Sequence, residues 1–258
     1  MLLALALFVT QASAALPRPV EQDRLTVCLE LARRDPATAI ATASQWLGEA
    51  NGAERALPQQ CLGQAYVGLL RWEAARDAFL AGRDALGGVD PAGRARMGAM
   101  AGNAALAAND AEGALAALDV ALADARLAGD GPLAGTISAD RARAFVSQGW
   151  TDEAEDALEQ ARADAPQDAG VWLLSATLSR RLGDLAAAQG QIETAATLAP
   201  TDPAIGLEAG VIAALAGNDE AARKSLESVV ALAPSGPEAA SARAYLAQLG
   251  QGDRGSGR

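Results

Sequence analysis

Few residues of this chain have side chains able to do chemistry, and their types exclude more than they permit. Among 258 residues there is no histidine, which removes the commonest general base, the usual metal ligand and every Ser-His or Cys-His nucleophile pair. Scattered Ser, Asp and Glu fit no catalytic constellation. The densest acidic cluster is Asp152, Glu153, Glu155, Asp156 and Glu159. It lacks the loop spacing that defines a calcium or magnesium site and reads as the solvated start of a helix, where the helix dipole favours acids. The only cysteines, Cys28 and Cys61, offer either a disulfide or two buried free thiols. The expectation is a protein with no catalytic residues, no metal and no cofactor. Lys224 is the only lysine and the net charge is −11, so nucleic acid is repelled and no polybasic surface exists for membrane or phosphate. Arginine is the cation left to recognise a partner.

The elements that position these residues follow from composition. About a quarter of the chain is alanine and aromatics are 3%. Sheets want β-branched and aromatic side chains, whereas closely packed helices want small ones, so the chain reads as all-α with tight interhelical contacts. The apolar run Met1–Thr10 followed by Ala12-Ser13-Ala14 reads as a signal peptide over 1–14, cleaved after Ala14. The other reading of that run is an apolar N-terminal helix. It is too short to span a bilayer, and the expected location is the periplasm or another envelope compartment, with no stable membrane span.

A period of 34 organises the C-terminal half: Ala154, Ala188 and Ala222 recur at that spacing, with Gly149, Gly183 and Gly217 five residues before them and Pro166, Pro200 and Pro234 twelve after. The alanine lets the second helix (B) of a hairpin approach the first (A). The glycine ends helix A because it tolerates the left-handed conformation. The proline stops helix B and opens the next unit, as in Pro200-Thr201-Asp202-Pro203. Ala39, Ala75 and Ala114 take the same role upstream at looser spacings of 36, 39 and 40. The extra residues are expected in the turn-rich stretches Gly87–Pro91 and Ala128–Pro132.

This pattern resembles the tetratricopeptide-repeat family, whose units of ~34 residues are helix–turn–helix hairpins. Residues 56–87 carry Leu62-Gly63, Tyr66, Trp72, Ala75 and Phe79 at the matching places, and residues 169–200 carry Trp172, Ala176, Gly183, Ala188, Ala195 and Pro200. The resemblance implies a right-handed α-solenoid over 15–249. Its six repeats are expected at 23–50, 56–87, 95–128, 135–166, 169–200 and 203–234, the first irregular with a shortened helix A. A capping helix at 237–249 and a disordered tail at 250–258 complete it. Trp46, Trp72, Trp150 and Trp172 fall in or near packing positions of the repeats and are expected in the core.

The resemblance also implies where a ligand sits: family members hold peptides on the concave helix A face, at the second, fifth, ninth, twelfth and thirteenth repeat positions. Of the 25 positions this register assigns in units two to six, none is acidic and four are arginine. The candidate groove is Gln60, Gln64, Arg96, Asn103, Leu106, Arg143, Val146, Leu173, Thr177, Arg180, Arg181 and Leu207. Such a groove suits an extended protein segment carrying acidic residues or a free C-terminus. Asn103 and Arg143 match part of the terminal-carboxylate clamp of chaperone-binding members, but its lysines are missing. The expected function is a non-catalytic scaffold or adaptor of the envelope. A self-associating structural subunit and an accessory factor of an envelope enzyme complex stand as alternatives, and the oligomeric state is open. Cys28 and Cys61 fall in the first helices of adjacent units, near enough for a bridge, although equivalent positions of successive repeats point the same way.

Overall fold

A computed structural model describes residues 19–255. The signal segment expected at 1–14 and the last residues of the expected tail, 256–258, lie outside the described residues. The chain divides after Gly129 into two compact units, each a stack of three helix hairpins. In unit 1 these are α1 (Pro19–Arg34) with α2 (Pro36–Glu49), α3 (Ala56–Gly68) with α4 (Trp72–Ala85), and α5 (Pro91–Ala107) with α6 (Ala111–Leu127); a short 3-10 turn, Gly52–Arg55, leads into α3. In unit 2 they are α7 (Gly131–Gln148) with α8 (Thr151–Asp164), α9 (Ala169–Leu182) with α10 (Leu185–Leu198), and α11 (Pro203–Leu215) with α12 (Asp219–Leu232), followed by α13 (Pro237–Gly255). No strand occurs among the described residues, and none of their helices is long and apolar enough to cross a membrane.

Local chemistry sets the helix starts. Asp35, Asp90, Asp110, Asp130 and Asp184 each accept a backbone N–H from the third residue onward, at 2.8 to 3.1 Å, satisfying donors that the first turn leaves unpaired. Hydrogen bonds from the Thr38 hydroxyl and backbone hold the Asp35 carboxyl below its usual value. Pro36, Pro91 and Pro203 stand at the first helical position, where a missing N–H costs nothing.

Packing within each hairpin follows the repeat pattern. The six alanines Ala39, Ala75, Ala114, Ala154, Ala188 and Ala222 are each 0% exposed. Opposite them, glycine in helix A seats a large side chain of helix B. A Cβ on Gly63 would stand 2.3 Å from the Phe79 ring, one on Gly102 2.5 Å from Leu118, and one on Gly210 2.7 Å from Leu226.

Several boundaries differ from expectation. The extra residues of the longer repeats lie in helices: α5 and α6 have 17 residues and α7 has 18, against 13 or 14 for α9 to α12. Capping by Asp90 and Asp130 starts α5 and α7 four residues ahead of the expected 95 and 135. Helix α1 has 16 residues and is not shortened; the irregularity of the first hairpin is its turn, the single residue Asp35. Helix α13 continues past Leu249 to Gly255. Trp46 is buried, but Trp150 is 49% exposed, with its ring 6.1 Å from that of Phe145. Between α3 and α4, and between α5 and α6, the left-handed turn residue is Leu70 (φ 56°) and Asn109 (φ 60°) where later hairpins have glycine.

Candidate functional site

The helix A faces carry every candidate groove residue, and none of the twelve is buried. In unit 1, Gln60 and Gln64 of α3 and Arg96 of α5 border two adjoining cavities. One, of about 360 Å³, is lined by Gln22, Leu25, Leu57, Gln60, Arg96 and Met97 among others. The second, of about 440 Å³, includes Leu29, Ala32, Arg33, Gln60, Gln64 and Val67. Gln64 Nε2 lies 3.6 Å from Met100 Sδ. Asn103 is exposed and Leu106 half-buried further along α5, outside both cavities. The register runs through units two to six only, so it does not assign the α1 residues in these walls, Gln22, Leu25 and Leu29.

In unit 2 the geometry brings Arg143 and Val146 of α7 together with Thr177 and Arg181 of α9. They rim a cavity of about 150 Å³ whose other lining residues are Ala142, Leu158, Leu174 and Leu178. Arg143 pairs with Asp140 one turn before it; its side chain is 52% exposed, that of Asp140 only 5%. Arg181 is exposed and has no carboxylate at ion-pair distance among the described residues. The other three candidates are placed elsewhere. Arg180 points to α11, where Nε and Nη2 reach the Glu208 carboxylate at 2.6 and 3.3 Å. Leu173 packs against Ile192 and its neighbours, and Leu207 sits against the Leu226–Val229–Ala242 cluster beneath α12 and α13.

Two further polar arrangements hold these faces in place and escaped sequence reasoning. In unit 1, the buried Asp124 of α6 accepts Arg83 Nη2 at 2.8 Å and Arg94 Nε at 3.2 Å, tying α4 and α5 to α6. In unit 2, Arg162 of α8 donates to Ser175 Oγ at 2.8 Å and lies 5.8 Å from the Trp172 ring centroid. Burial pulls this guanidinium below its ordinary value, opposed by Glu159 and Glu155. The acidic residues Asp152, Glu153, Glu155, Asp156 and Glu159 are exposed on α8.

Cys28 of α1 and Cys61 of α3 form a disulfide, with Cα atoms 6.0 Å apart, and both are buried. The two do not occupy equivalent repeat positions: Cys28 precedes Ala39 by 11 residues, Cys61 precedes Ala75 by 14. That offset lets the side chains point at each other.

Residues 136–178, from α7 into α9, match the family model described as tetratricopeptide repeat. No curated protein matches the sequence. Among solved structures, the chain is similar to PilW, described as a widely conserved type IV pilus biogenesis factor, at 21% identity and a TM-score of 0.66, covering 86% of this chain and 97% of that one. BtubC from P. vanneervenii is 16% identical with a TM-score of 0.64, covering 82% and 91%. YrrB, described as a TPR protein with an unusual peptide-binding site, is 20% identical with a TM-score of 0.50, covering 78% and 97%. These likenesses establish the fold, a tetratricopeptide-repeat α-solenoid.

Proposed function

Because the chain is a tetratricopeptide-repeat protein, we propose that it is a non-catalytic scaffold of the cell envelope that holds an extended segment of another protein against its A helices. The observation that carries this reading is the α7–α9 cavity. Its floor of Ala142, Leu158, Leu174 and Leu178 takes an apolar side chain, while Arg143 and Arg181 stand at its rim. A carboxylate of the same segment, in a side chain or at a free C-terminus, would then meet Arg181, which has no internal competitor, and Arg143, whose partner Asp140 leaves donors over. Arg180 takes no part, because Glu208 occupies it in the fold. Repeat proteins present such extended faces to partners, and the description of YrrB as peptide-binding supports the mode. The envelope assignment is supported by the Met1–Ala14 export pattern and by the description of PilW.

The test is affinity capture from envelope extract by the chain beginning at Ala15, beside an Arg143→Glu/Arg181→Glu variant with the same circular dichroism. A partner captured by the first and lost by the second is the expected result. Equal capture by both would remove the cavity from the account.

A further inference from the structure

We infer that Asn51 is a site of spontaneous covalent modification, in which the Gly52 backbone nitrogen displaces the side-chain ammonia and leaves aspartate or isoaspartate. The site is far in sequence from the α7–α9 cavity and does not rest on the function proposed for it. The chain has four asparagines, Asn51, Asn103, Asn109 and Asn218, and only Asn51 is followed by glycine. Asn51 and Gly52 are both exposed, in the link between α2 and the 3-10 turn that leads into α3. Glycine here does two things: it puts no side chain in the way of its own nitrogen, and its backbone turns freely. Gly52 stands at φ 53°, and a Cβ placed on it would meet nothing within 4 Å.

Ring closure requires that the Gly52 nitrogen and Asn51 Cγ be free to approach each other. Among the described residues, the Gly52 N–H donates to no backbone acceptor. The Asn51 side chain caps no helix donor, and its Nδ2 reaches only the Glu49 carbonyl, at 3.4 Å. Asn51 is extended, with φ −130° and ψ 151°. Rotation about ψ brings the nitrogen round to Cγ and breaks one backbone bond, from Glu54 N–H to Asn51 O at 3.2 Å. The other three asparagines are held. Asn103 lies inside α5, where the next N–H belongs to the helix ladder. After Asn109, the Asp110 N–H donates to Ala105 O at 2.9 Å. Asn218 Oδ1 accepts the Ala221 N–H at 3.2 Å, which fixes that side chain as the cap of α12.

Water is the only co-reactant. The Gly52 nitrogen gives up its proton and bonds to Asn51 Cγ, while the Cγ–Nδ2 bond breaks and Nδ2 leaves as ammonia carrying that proton. Water then opens the resulting succinimide at either carbonyl. Attack at Cγ restores the ordinary backbone and leaves aspartate. Attack at the α-carbonyl carbon leaves the chain running through Cβ and Cγ, which is isoaspartate. Either product is ionised at neutral pH, so the chain gains one negative charge. The isoaspartyl form also lengthens the main chain by one carbon between Ala50 and Ala56, which are anchored in the core at 6% and 1% exposure.

The test incubates the full chain in mildly alkaline buffer, then digests it and follows each asparagine by mass spectrometry. Isoaspartate is counted by methyl transfer from labelled S-adenosylmethionine with an isoaspartyl methyltransferase. The peptide holding Asn51 should show the mass shift of an amide becoming an acid and should accept the label. Peptides holding Asn103, Asn109 and Asn218 should stay unchanged over the same period. Asn51→Gln keeps the amide but moves it one carbon further from the nitrogen, and Gly52→Ala covers the nitrogen. Both change exposed residues, circular dichroism checks that each is folded, and both should lose the modification. Asn51 should also react about as fast in the native chain as in urea. An unchanged Asn51 peptide, equal reaction at the other asparagines, or undiminished reaction in Gly52→Ala would overturn the inference. So would much slower reaction in the native chain than in urea, by showing that the fold holds the link shut.

Discussion

Replacing Gly63 by alanine tests how closely the paired helices interlock, and the structure sets the sign of the effect. Alanine is the better helix former by about 1 kcal/mol, so in open space the change stabilises. At Gly63 the new Cβ would lie 2.3 Å from Phe79 Cε1 and 2.6 Å from Cδ1 and Cζ. Phe79 is 1% exposed and packs among Ala75, Met97 and Ala101, so the rigid ring cannot withdraw without moving α4. Overpacking of this kind costs about 1–3 kcal/mol, and the net effect is a loss of up to about 2 kcal/mol. Gly190, inside α10, supplies the contrast, since a Cβ there meets nothing within 4 Å; Gly190→Ala should gain up to about 1 kcal/mol. Urea unfolding followed by circular dichroism reads both against the parent, with an unchanged m-value securing the comparison. A lower midpoint for Gly63→Ala and a higher one for Gly190→Ala is expected. If Gly63→Ala raises the midpoint as Gly190→Ala does, the close approach of α3 to Phe79 is wrong.

Leu70, in the left-handed region with φ 56° and an exposed side chain, pays a backbone penalty that glycine avoids. Leu70→Gly should therefore raise the urea midpoint by about 1 kcal/mol equivalent, and a lower midpoint would contradict the turn geometry. Asp124→Ala removes the carboxylate shared by Arg83 and Arg94, whose side chains are 13% and 21% exposed, and leaves them only Asp84 and the Gly87 carbonyl. It should cost about 2–4 kcal/mol in thermal unfolding, and a change below the measurement error would show that the shared carboxylate holds nothing. The Cys28–Cys61 bridge spans 33 residues, for which chain entropy gives about 3–4 kcal/mol. Protein purified without reductant should take up no alkyl group when denatured, and Cys28→Ser/Cys61→Ser should unfold at lower urea. Two alkyl groups per chain would reject the bridge.

How far the fold was legible depended on how local each feature is. The all-α architecture, the hairpin period and the seat of the six buried alanines follow from residue types recurring in phase. So does the position of the turn glycines Gly149, Gly183 and Gly217, each at positive φ. Where the phase slips, reading failed. The 39- and 40-residue spacings looked like longer loops, but Asp90 and Asp130 cap the extra residues into α5 and α7. Leu70 and Asn109 fill the glycine position without its signature. The first hairpin, with its one-residue turn at Asp35, stood outside the register, and so did the cavity residues Gln22, Leu25 and Leu29.

The candidate groove shows the same division. That Gln60 and Gln64 lie together beside cavities of unit 1, and Arg143, Val146, Thr177 and Arg181 beside a cavity of unit 2, follows a register running through neighbouring residues; that Asp140 and Glu208 reach the arginines of those helices does not. Three decisions were tertiary: that Arg180 is bound by Glu208 while Arg181 is left at a cavity rim, that Leu207 belongs beneath α12 and α13, and that Asp124 gathers Arg83 and Arg94. The sequence by itself determined the helices, their caps and their buried faces, because those depend on contacts within about four residues along the chain. Which charges meet and which stay open depended on how successive hairpins pack, because that brings together residues 28 to 41 positions apart with no periodic signal to link them.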